Sequence, residues 1–269
     1  MADILPILLK TIKEAGAIAK SGQEGIAATS KKDKTPVTSV DIKVSSFIGD
    51  AIKAFTKDMG YLVIDEELEQ NPAEQWEAFQ NTEFSCFIDP ISGTLSYMNG
   101  LPFYGISIGV LRYGQPYIGA VYLPAFDELY WHEGGSAFFQ SPNCGVKTLN
   151  KFDHNVGSFS LFFINLHQRF TLSESIGKTV SFPAVNPGLL WSATGKFTGA
   201  LVKLKVWDMA AAWGICQAVG LDFYTLDEGK KVDRVSEDNF DKNWKMCQPM
   251  IMTSASNIDV LRANIKPVV

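Results

Sequence analysis

Apolar residues recur at helical spacing in two segments of the N-terminal region. The spacing predicts amphipathic helices over residues 4–21 and 41–55, each with one buried face. The apolar positions on those faces are Leu5, Leu8, Leu9, Ile12, Ala15, Ile18, Val44, Phe47, Ile48 and Ile52. Residues 27–40, between the two helices, are rich in Ser, Thr and Lys and predict a polar loop.

Strand-like patterns occupy the middle of the chain. Short apolar runs at Tyr61–Ile64 and Phe84–Ile88 predict buried strands, and Pro90, which lacks an N–H, is expected to end the second strand. Four alternating segments follow as two hairpins, with turns at Tyr113-Gly114 and Glu133-Gly134-Gly135. Their bounds are 104–111, 115–123, 128–132 and 137–140. The first half is therefore predicted to form helices followed by an antiparallel meander.

The second half of the chain has a less regular pattern. Predicted strands cover residues 158–164, 202–206 and 250–254, and predicted helices cover residues 172–177, 189–200, 209–219 and 257–264. In the first half, residues 71–81 are predicted to be a polar connection that buries Trp76 and Phe79. The sequence contains no internal repeat.

Composition and charge narrow the class of protein. The 269 residues are 46% hydrophobic and 20% charged, which is typical of a globular protein that can bury a full core in one domain or two. The net charge of −5 argues against a general nucleic-acid binder, because such a protein needs a basic face. A small anionic substrate stays open, since bound cations can make a site locally positive.

Cysteine and histidine usage argues against several kinds of site. The four cysteines form no CxxC pair, so we expect the reduced thiols of a cytoplasmic protein rather than a disulfide framework or zinc site. The three histidines are scattered, which disfavours a histidine-based metal site or a Ser-His-Asp triad. The N-terminal segment predicts an amphipathic helix and no signal peptide, and no apolar run approaches the ~18 residues of a membrane span.

Four acidic residues lie at the ends of predicted elements. Asp89 closes one strand and Glu66 follows the strand before it. Asp208 follows a later strand, and Asp41 begins the second helix. Each residue alone has an ordinary explanation as a turn or capping residue. Together they suit an oxygen-ligand site for Mg²⁺, which could activate a water and neutralise the charge of a phosphoryl group.

Four short motifs carry a resemblance to a known family. Asp89-Pro90-Ile91-Ser92-Gly93-Thr94 is similar to D-P-x-D-G-T, and Ile64-Asp65-Glu66-Glu67 is similar to G-E-E. Val206-Trp207-Asp208-Met209-Ala210-Ala211 resembles W-D-x-A-x, and Val37-Thr38-Ser39-Val40-Asp41 resembles V-T-x-x-D. These are motifs of the inositol monophosphatase family of metal-dependent, lithium-sensitive phosphatases, and the resemblance covers essentially the whole chain.

The resemblance implies a fold, an activity and an assembly. The expected fold is a layered α/β/α/β/α sandwich of the α+β type, forming a single domain over residues 1–269 with halves of about 1–150 and 151–269. The expected activity is a Mg²⁺-dependent phosphomonoesterase that uses two or three ions and a small phosphorylated metabolite. A homodimer is expected from the resemblance alone.

The resemblance also implies roles for individual residues at the metal ions. Glu66, Asp89 and the carbonyl of Ile91 would hold the first Mg²⁺. Asp89 and Asp208 would contribute to the second. Metal ions held in this way polarise both the phosphorus–oxygen bond and the attacking water.

Catalytic and phosphate-binding roles follow from the same resemblance. Thr94, oriented by Asp41, would position the attacking water, with Glu66 beside it. Backbone N–H groups at the start of the helix would stabilise charge on the phosphoryl oxygens. The implied phosphate- and substrate-binding positions are Ser92, Gly93, Thr94 and Asp208.

Two departures from the family pattern bear on activity. Ser92 stands where the family has a second aspartate that binds the second metal ion, so we expect that site to be weak or empty. On the substrate side, Pro183-Ala184-Val185 falls where the family has a G-S-A loop. Leu201 falls where inositol-specific members have a glutamate that binds ring hydroxyls. We therefore expect poor activity on inositol monophosphate.

Two functions from different classes remain open. The first is a phosphatase whose substrate is an inositol phosphate, a nucleotide 3′-phosphate, a sugar bisphosphate or histidinol phosphate. The alternative is a degenerate family member that binds phosphate ligands or partners with little or no turnover. Ser92 and the altered substrate loop motivate this alternative. The residues that favour the enzyme are Glu66, Asp89, Thr94, Asp41 and Asp208.

Overall fold

Local sequence signals determine where the first two helices begin. The computed structural model describes residues 4–23, 28–30, 36–57, 59–68, 71–151, 159–164 and 166–268. Pro6 lies in the first turn of the first helix, where its missing N–H costs nothing. Thr38 caps the second helix, because its hydroxyl accepts hydrogen bonds from the backbone N–H groups of Val40 and Asp41.

Seven helices occur within these ranges. They are α1 (Leu5–Gly22), α2 (Ser39–Thr56), α3 (Pro72–Gln80), α4 (Thr94–Met98), α5 (Val185–Ala193), α6 (Val206–Ala218) and α7 (Ile258–Asn264). None of these helices has the combination of length and apolar character needed to cross a membrane.

The strands of the first half form one hairpin and one large sheet. They are β1 (Ala28–Ser30), β2 (Pro36–Thr38), β3 (Leu62–Asp65), β4 (Phe84–Ser92), β5 (Gly105–Arg112), β6 (Gln115–Leu123), β7 (Glu128–Glu133), β8 (Ser136–Ser141) and β9 (Cys144–Leu149). β1 pairs with β2, and β3 to β9 form a seven-stranded sheet in sequence order. Only its first pair, β3 and β4, is parallel, so the predicted antiparallel meander is confirmed for the strands that follow.

The strands of the second half form a smaller mixed sheet. They are β10 (Phe159–Phe163), β11 (Phe170–Leu172), β12 (Gly177–Val180), β13 (Gly199–Val202), β14 (Asp222–Thr225), β15 (Met250–Thr253) and β16 (Ile265–Pro267). Five of them lie in the order β12-β10-β13-β15-β14, and β11 pairs with β16.

Three clusters of buried residues define five layers. The first cluster joins α1 and α2 to one face of the seven-stranded sheet, through residues such as Leu8, Val44 and Ile108. The second lies around α5 and α6 and contacts both sheets; among its members are Trp213, Val121 and Met252. The third joins α7 to the outer face of the smaller sheet, through Leu261 and Ile251 among others. The predicted α/β/α/β/α sandwich is therefore confirmed.

Small residues let α6 approach the large sheet closely. A Cβ atom at Gly109 would lie 2.6 Å from the carbonyl carbon of Ala210, and one at Gly119 would lie 2.8 Å from the Cα of Ala211. Glycine in the strands and alanine in the helix therefore set the distance between these two layers.

Strand β4 is longer than the sequence predicts. Pro90 was expected to end it, but the strand continues to Ser92 and all nine residues are buried. The pairing with β5 shifts register between Asp89 and Ser92, and the last pair with β3 is Asp65 with Ile88. Pro90 is tolerated because it lies in this irregular segment, where no regular ladder hydrogen bond is lost.

Two other predictions in the first half were wrong. Residues 71–81 form a helix rather than a polar connection, since the Asn71 side chain caps Ala73 and the polar residues face outward while Trp76 and Phe79 are buried. The predicted loop at 27–40 contains the paired strands β1 and β2 in its described part.

The second half departs more from the sequence prediction. The helix predicted at 172–177 was wrong. Leu172 ends β11 and Gly177 begins β12, because these strands pair with β16 and β10, which lie elsewhere in the sequence. Helix α5 ends at Ala193, and residues 199–202 belong to β13, so a helix over 189–200 was wrong. The strand predicted at 202–206 ends at Val202, and α6 already begins at Val206. The strand at 250–254 and the helix at 257–264 are confirmed to within one residue at each end.

Candidate active site

Three carboxylates from separate segments meet at one edge of the large sheet. One carboxylate oxygen each of Glu66, Asp89 and Asp208 lies within 4.8 Å of the other two. The parallel pairing of β3 and β4 brings Glu66 beside Asp89, since the backbone N–H of Glu66 donates to the Ile88 carbonyl at 3.2 Å. Asp208 reaches them from the first turn of α6, which packs on β4.

The acidic run after β3 divides into two kinds of residue. Asp65 is buried and faces α2, where its carboxylate accepts hydrogen bonds from the Ser45 hydroxyl at 2.8 Å and from the Glu67 backbone N–H at 2.9 Å. It therefore stabilises the turn. Glu66 instead lines the pocket. The ordinary turn explanation thus holds for Asp65, while Glu66 joins the acidic cluster.

Asp89 is the most perturbed carboxylate of the cluster. It is 1% exposed, and neither of its oxygens has a hydrogen-bond partner within the part of the chain that the structure describes. Burial raises its pKa well above the usual value, and the neighbouring charges of Glu66 and Asp208 raise the pKa further. A buried carboxylate with free lone pairs beside two like charges requires a proton or a cation.

Asp208 lies three residues past the N-cap of α6 rather than at the N-cap itself. Its carboxylate accepts a hydrogen bond from the backbone N–H of Lys205, the N-cap residue, at 2.8 Å. A capping position at Asp208 is therefore three residues too late along the chain, because the helix begins at Val206. An acidic residue in the first turn also suits the helix dipole.

Thr94 and Asp41 form a connected pair beside the pocket. The Thr94 hydroxyl lies 3.2 Å from both the Asp41 carboxylate and the Ile91 carbonyl. Asp41 is fully buried and is held by Thr38, whose backbone N–H donates at 2.9 Å and whose hydroxyl also donates. Burial raises the pKa of Asp41, while its hydrogen bonds to Thr38 and Thr94 oppose that rise.

The turn between β4 and α4 depends on Gly93. Its φ of 94° lies in the left-handed region, which favours glycine. A Cβ atom there would also lie 2.7 Å from the Ala184 Cβ and 2.9 Å from the Phe103 carbonyl. Ser92, just before it, is buried with no hydrogen-bond partner for its hydroxyl in the described segments. The glycine therefore allows the substrate-side loop to approach the strand end.

The carboxylates line a pocket with a volume of about 320 Å³. One wall contains Pro183, Ala184 and Val185, where the sequence placed the substrate-side loop, and it is apolar. Other lining residues are Pro36, Glu66, Asp89, Ile91, Ser92, Gly93, Thr94, Leu95, Ile164, Lys203, Leu204 and Asp208. The pocket thus combines an acidic group of side chains with an apolar wall.

Leu201 does not line this pocket. It is fully buried on β13 in the cluster that contains Ile251, on the α7 side of the smaller sheet. The expectation of poor activity on inositol monophosphate stays a prediction, and Lys203 and Leu204 line this part of the wall. Leu201 lies within β13 and faces the α7 side of the sheet, whereas Lys203 and Leu204 follow the end of that strand.

The donor set fits a hard divalent cation. Three carboxylates and a nearby carbonyl are the oxygen ligands that Mg²⁺ takes, and the orphaned oxygens of Asp89 supply the driving force for binding. Among the described residues, the cluster contains no histidine or cysteine, so nothing in it favours zinc or copper.

Comparison with known proteins agrees with the fold. A fructose-1,6-bisphosphatase/inositol-1-monophosphatase from Aquifex aeolicus is 33% identical over 155 residues, which cover 54% of this chain and 58% of that protein. A histidinol-phosphatase from Chlorobaculum parvum is 28% identical over 233 residues, covering 82% of this chain and 85% of that protein. The solved Thermotoga maritima IMPase has a TM-score of 0.75 with 18% identity, covering 96% and 95% of the two chains.

The layered fold is that of a solved inositol monophosphatase, and the pocket offers oxygen ligands that suit a metal-dependent phosphatase. The chain belongs to the inositol monophosphatase family, whose model matches residues 1–258. Family members hydrolyse phosphate monoesters, so this protein is an enzyme of the phosphoric monoester hydrolase class. The names of the relatives cover several substrates, so the family alone does not identify the substrate of this chain.

The residues that the sequence singled out for metal binding, catalysis and phosphate binding all lie in or beside this pocket. Those that line it are Glu66, Asp89, Ile91, Ser92, Gly93, Thr94 and Asp208. Asp41 lies behind Thr94 and contacts it. Their roles in metal binding and catalysis stay predictions. Lys203 was missed, because a single lysine in an irregular segment carries no pattern that distinguishes it from a solvated surface residue.

Proposed function

We propose that this protein is a Mg²⁺-dependent phosphomonoesterase that hydrolyses a small phosphorylated metabolite by direct attack of water. The observation that carries the proposal is the meeting of Glu66, Asp89 and Asp208, with Asp89 buried and its oxygens without partners. Glu66, Asp89 and the Ile91 carbonyl would hold one ion, and Asp89 with Asp208 would contribute to a second.

The bound cations would supply positive charge to the phosphoryl oxygens and lower the pKa of the attacking water. Thr94 would orient that water. Its single hydroxyl proton can be donated to Asp41 or to the Ile91 carbonyl, which leaves an oxygen lone pair free to accept a hydrogen bond from the water. Asp41 would act indirectly, because it fixes the direction of the Thr94 hydroxyl and would not itself contact the water.

The turn at residues 92–94 would bind the phosphate. The positive φ of Gly93 turns the chain from β4 directly into α4, so backbone N–H groups at Gly93 and Thr94 lie at the helix start beside the carboxylates. Such groups stabilise negative charge that develops on phosphoryl oxygens. No covalent nucleophile is required, and a homodimer stays a prediction of the family resemblance.

The test is the variant Asp89→Asn. We expect at least ~100-fold less phosphate release from a generic phosphomonoester, because a direct ligand matters more than the supporting groups whose loss typically costs 10–100-fold. The melting temperature of the wild type should rise when Mg²⁺ is added, and this rise should be lost in the variant. Removal of the metal with a chelator should abolish wild-type activity, and Mg²⁺ should restore it.

Asp50→Asn is the matched control, because Asp50 is an exposed carboxylate on α2 outside the pocket. It should keep wild-type activity and the wild-type response to Mg²⁺. The Asp89→Asn protein should remain folded in chelator, since the substitution removes a buried charge that repels its neighbours. Unchanged turnover in Asp89→Asn would contradict the proposal.

Ser92 favours one alternative, a protein that binds phosphate ligands with little or no turnover. Its hydroxyl is neutral and cannot replace a carboxylate at the second ion. If purified protein at high Mg²⁺ binds inorganic phosphate but releases none from any phosphomonoester tested, this alternative holds. Phosphate release that depends on Asp89 would reject it.

A further inference from the structure

Lys203 is the one basic side chain among the described residues that line the pocket. It follows β13 directly and precedes α6 by three residues, so it is part of the same connection that delivers Asp208. It is half-buried, unlike most lysines of the chain. The family motifs do not include this position, and the proposed chemistry at Asp89 does not use it.

The Lys203 ammonium is held in place without being neutralised. Its Nζ donates a hydrogen bond to the Cys247 backbone carbonyl at 3.1 Å. No carboxylate of a described residue forms an ion pair with it, although Glu66, Asp89 and Asp208 line the same pocket. An ammonium has three donors, so two remain available after the bond to the carbonyl.

The surroundings of Lys203 are suited to an anion. Leu204 next to it and the wall at Pro183, Ala184 and Val185 are apolar, and a charge–charge interaction is stronger beside low-dielectric walls than in open water. Cations held by the three carboxylates would occupy those carboxylates, and Lys203 would then have no carboxylate partner among the described residues that line the pocket.

We infer that Lys203 binds a second anionic group of the substrate, so that the preferred substrates are small phosphomonoesters with another phosphate or carboxylate. This inference rests on the proposed function, because it assigns the first phosphate to the site around Asp89. It disfavours substrates with a cationic end, such as an amino alcohol phosphate, and neutral polyol monophosphates.

The experiment compares pairs of substrates that differ only in the second phosphate. The pairs are fructose 1,6-bisphosphate with fructose 1-phosphate, and adenosine 3′,5′-bisphosphate with adenosine 3′-monophosphate. For each pair, kcat/KM and the dissociation constant from calorimetry are measured in Mg²⁺. We expect at least one bisphosphate to be preferred by about 10-fold or more, as a hydrogen bond to a charged group provides.

Variants of Lys203 connect that preference to the side chain. Lys203→Met keeps the apolar stem and should reduce the preference to about 1, because it weakens binding of the bisphosphate more than that of the monophosphate. Lys203→Arg should keep most of the preference, because the positive charge remains. Lys242→Met is the matched control, since Lys242 is an exposed lysine outside the pocket, and it should behave as the wild type.

The outcomes separate the two proposals. If the two members are hydrolysed equally in both pairs, or if Lys203→Met keeps the preference for the bisphosphate, the inference is overturned while the phosphatase proposal stands. If no substrate is hydrolysed, the phosphatase proposal fails, and the ratio of dissociation constants in wild type and Lys203→Met decides the inference.

Discussion

Individual side chains at the site show how burial creates a need for a cation. Asp89 is buried at the end of a strand with neither oxygen satisfied, and two further carboxylates lie beside it. Such an arrangement is unfavourable in a protein interior unless a positive ion balances it. Ser92 reduces the negative charge of the same site by one relative to the family motif. The number of carboxylates at the site therefore determines how many cations it can hold.

At Ser92, we predict that restoring the carboxylate changes the metal dependence. Ser92→Asp should lower the Mg²⁺ concentration for half-maximal activity by ~10-fold or more, because it adds a charged ligand at the second site. In chelator, the same variant should melt at a lower temperature than the wild type, since a fourth carboxylate adds repulsion. Ser92→Asn is the size-matched control and should change neither property in this way. Equal Mg²⁺ dependence in wild type and Ser92→Asp would show that Ser92 is not a weak second-site position.

At the scale of elements, the position of α6 relative to the large sheet is important. This helix delivers Asp208 to the carboxylates of β3 and β4, and it does so by packing small residues against Gly109 and Gly119. A larger separation of the two layers would move Asp208 away from Asp89. Close packing of the helix on the sheet is therefore a condition for the site as well as for the core.

Enlarging the contact between β5 and α6 should test this dependence. In Gly109→Ala, the added Cβ would lie 2.6 Å from the Ala210 carbonyl carbon, so the backbone must shift. Overpacking of this kind typically costs about 1–3 kcal/mol of the free energy of unfolding, measurable by urea denaturation. The Mg²⁺-induced rise in melting temperature should shrink as well. Gly145→Ala on β9, where a Cβ meets nothing within 4 Å, should leave both quantities near the wild-type values.

For the whole molecule, burial of a histidine between layers couples stability to pH. His132 lies on β7, is 4% exposed, and its Nε2 has no hydrogen-bond partner within the described ranges. It packs against Gly119 and against Gly214 of α6. Burial lowers the pKa of His132 to about 4 from its ordinary value of 6.5. The imidazole is therefore neutral in the folded protein at pH values where the unfolded chain already binds a proton.

We predict that this histidine destabilises the protein as the pH falls. Above pH 6.5 both states are neutral, and between 6.5 and about 4 the unfolded state takes up the proton, so stability is lost by roughly 2–3 kcal/mol across that window. His132→Leu should remove this loss. The quantity to measure is the difference in the free energy of unfolding between the two proteins at several pH values in chelator. The raised pKa values of Asp41 and Asp89 act in the opposite direction, but they are common to both proteins and cancel. A difference that does not vary with pH would refute the prediction.

The sequence predicted the elements whose pattern is local. α1, α2 and the meander β5 to β8 follow from apolar periodicity, because one face of each is buried by the chain nearby. It did not predict the short strands at 170–172 and 177–180. Their partners β16 and β10 lie elsewhere in the sequence, so residue pattern alone carried no signal for the pairing.

For the site, the sequence determined which residue types are present, and the motifs around Asp89 and Asp208 identified the family. Only the tertiary structure decided what each side chain faces. Asp65 and Glu66 are adjacent, yet one supports a turn and the other enters the pocket. Leu201 and Lys203 lie two residues apart, yet only the lysine lines the pocket. Glu66 and Lys203 each lie just past the end of a strand, so regular alternation no longer sets the direction of their side chains. Packing between layers that are distant in sequence decides that direction instead.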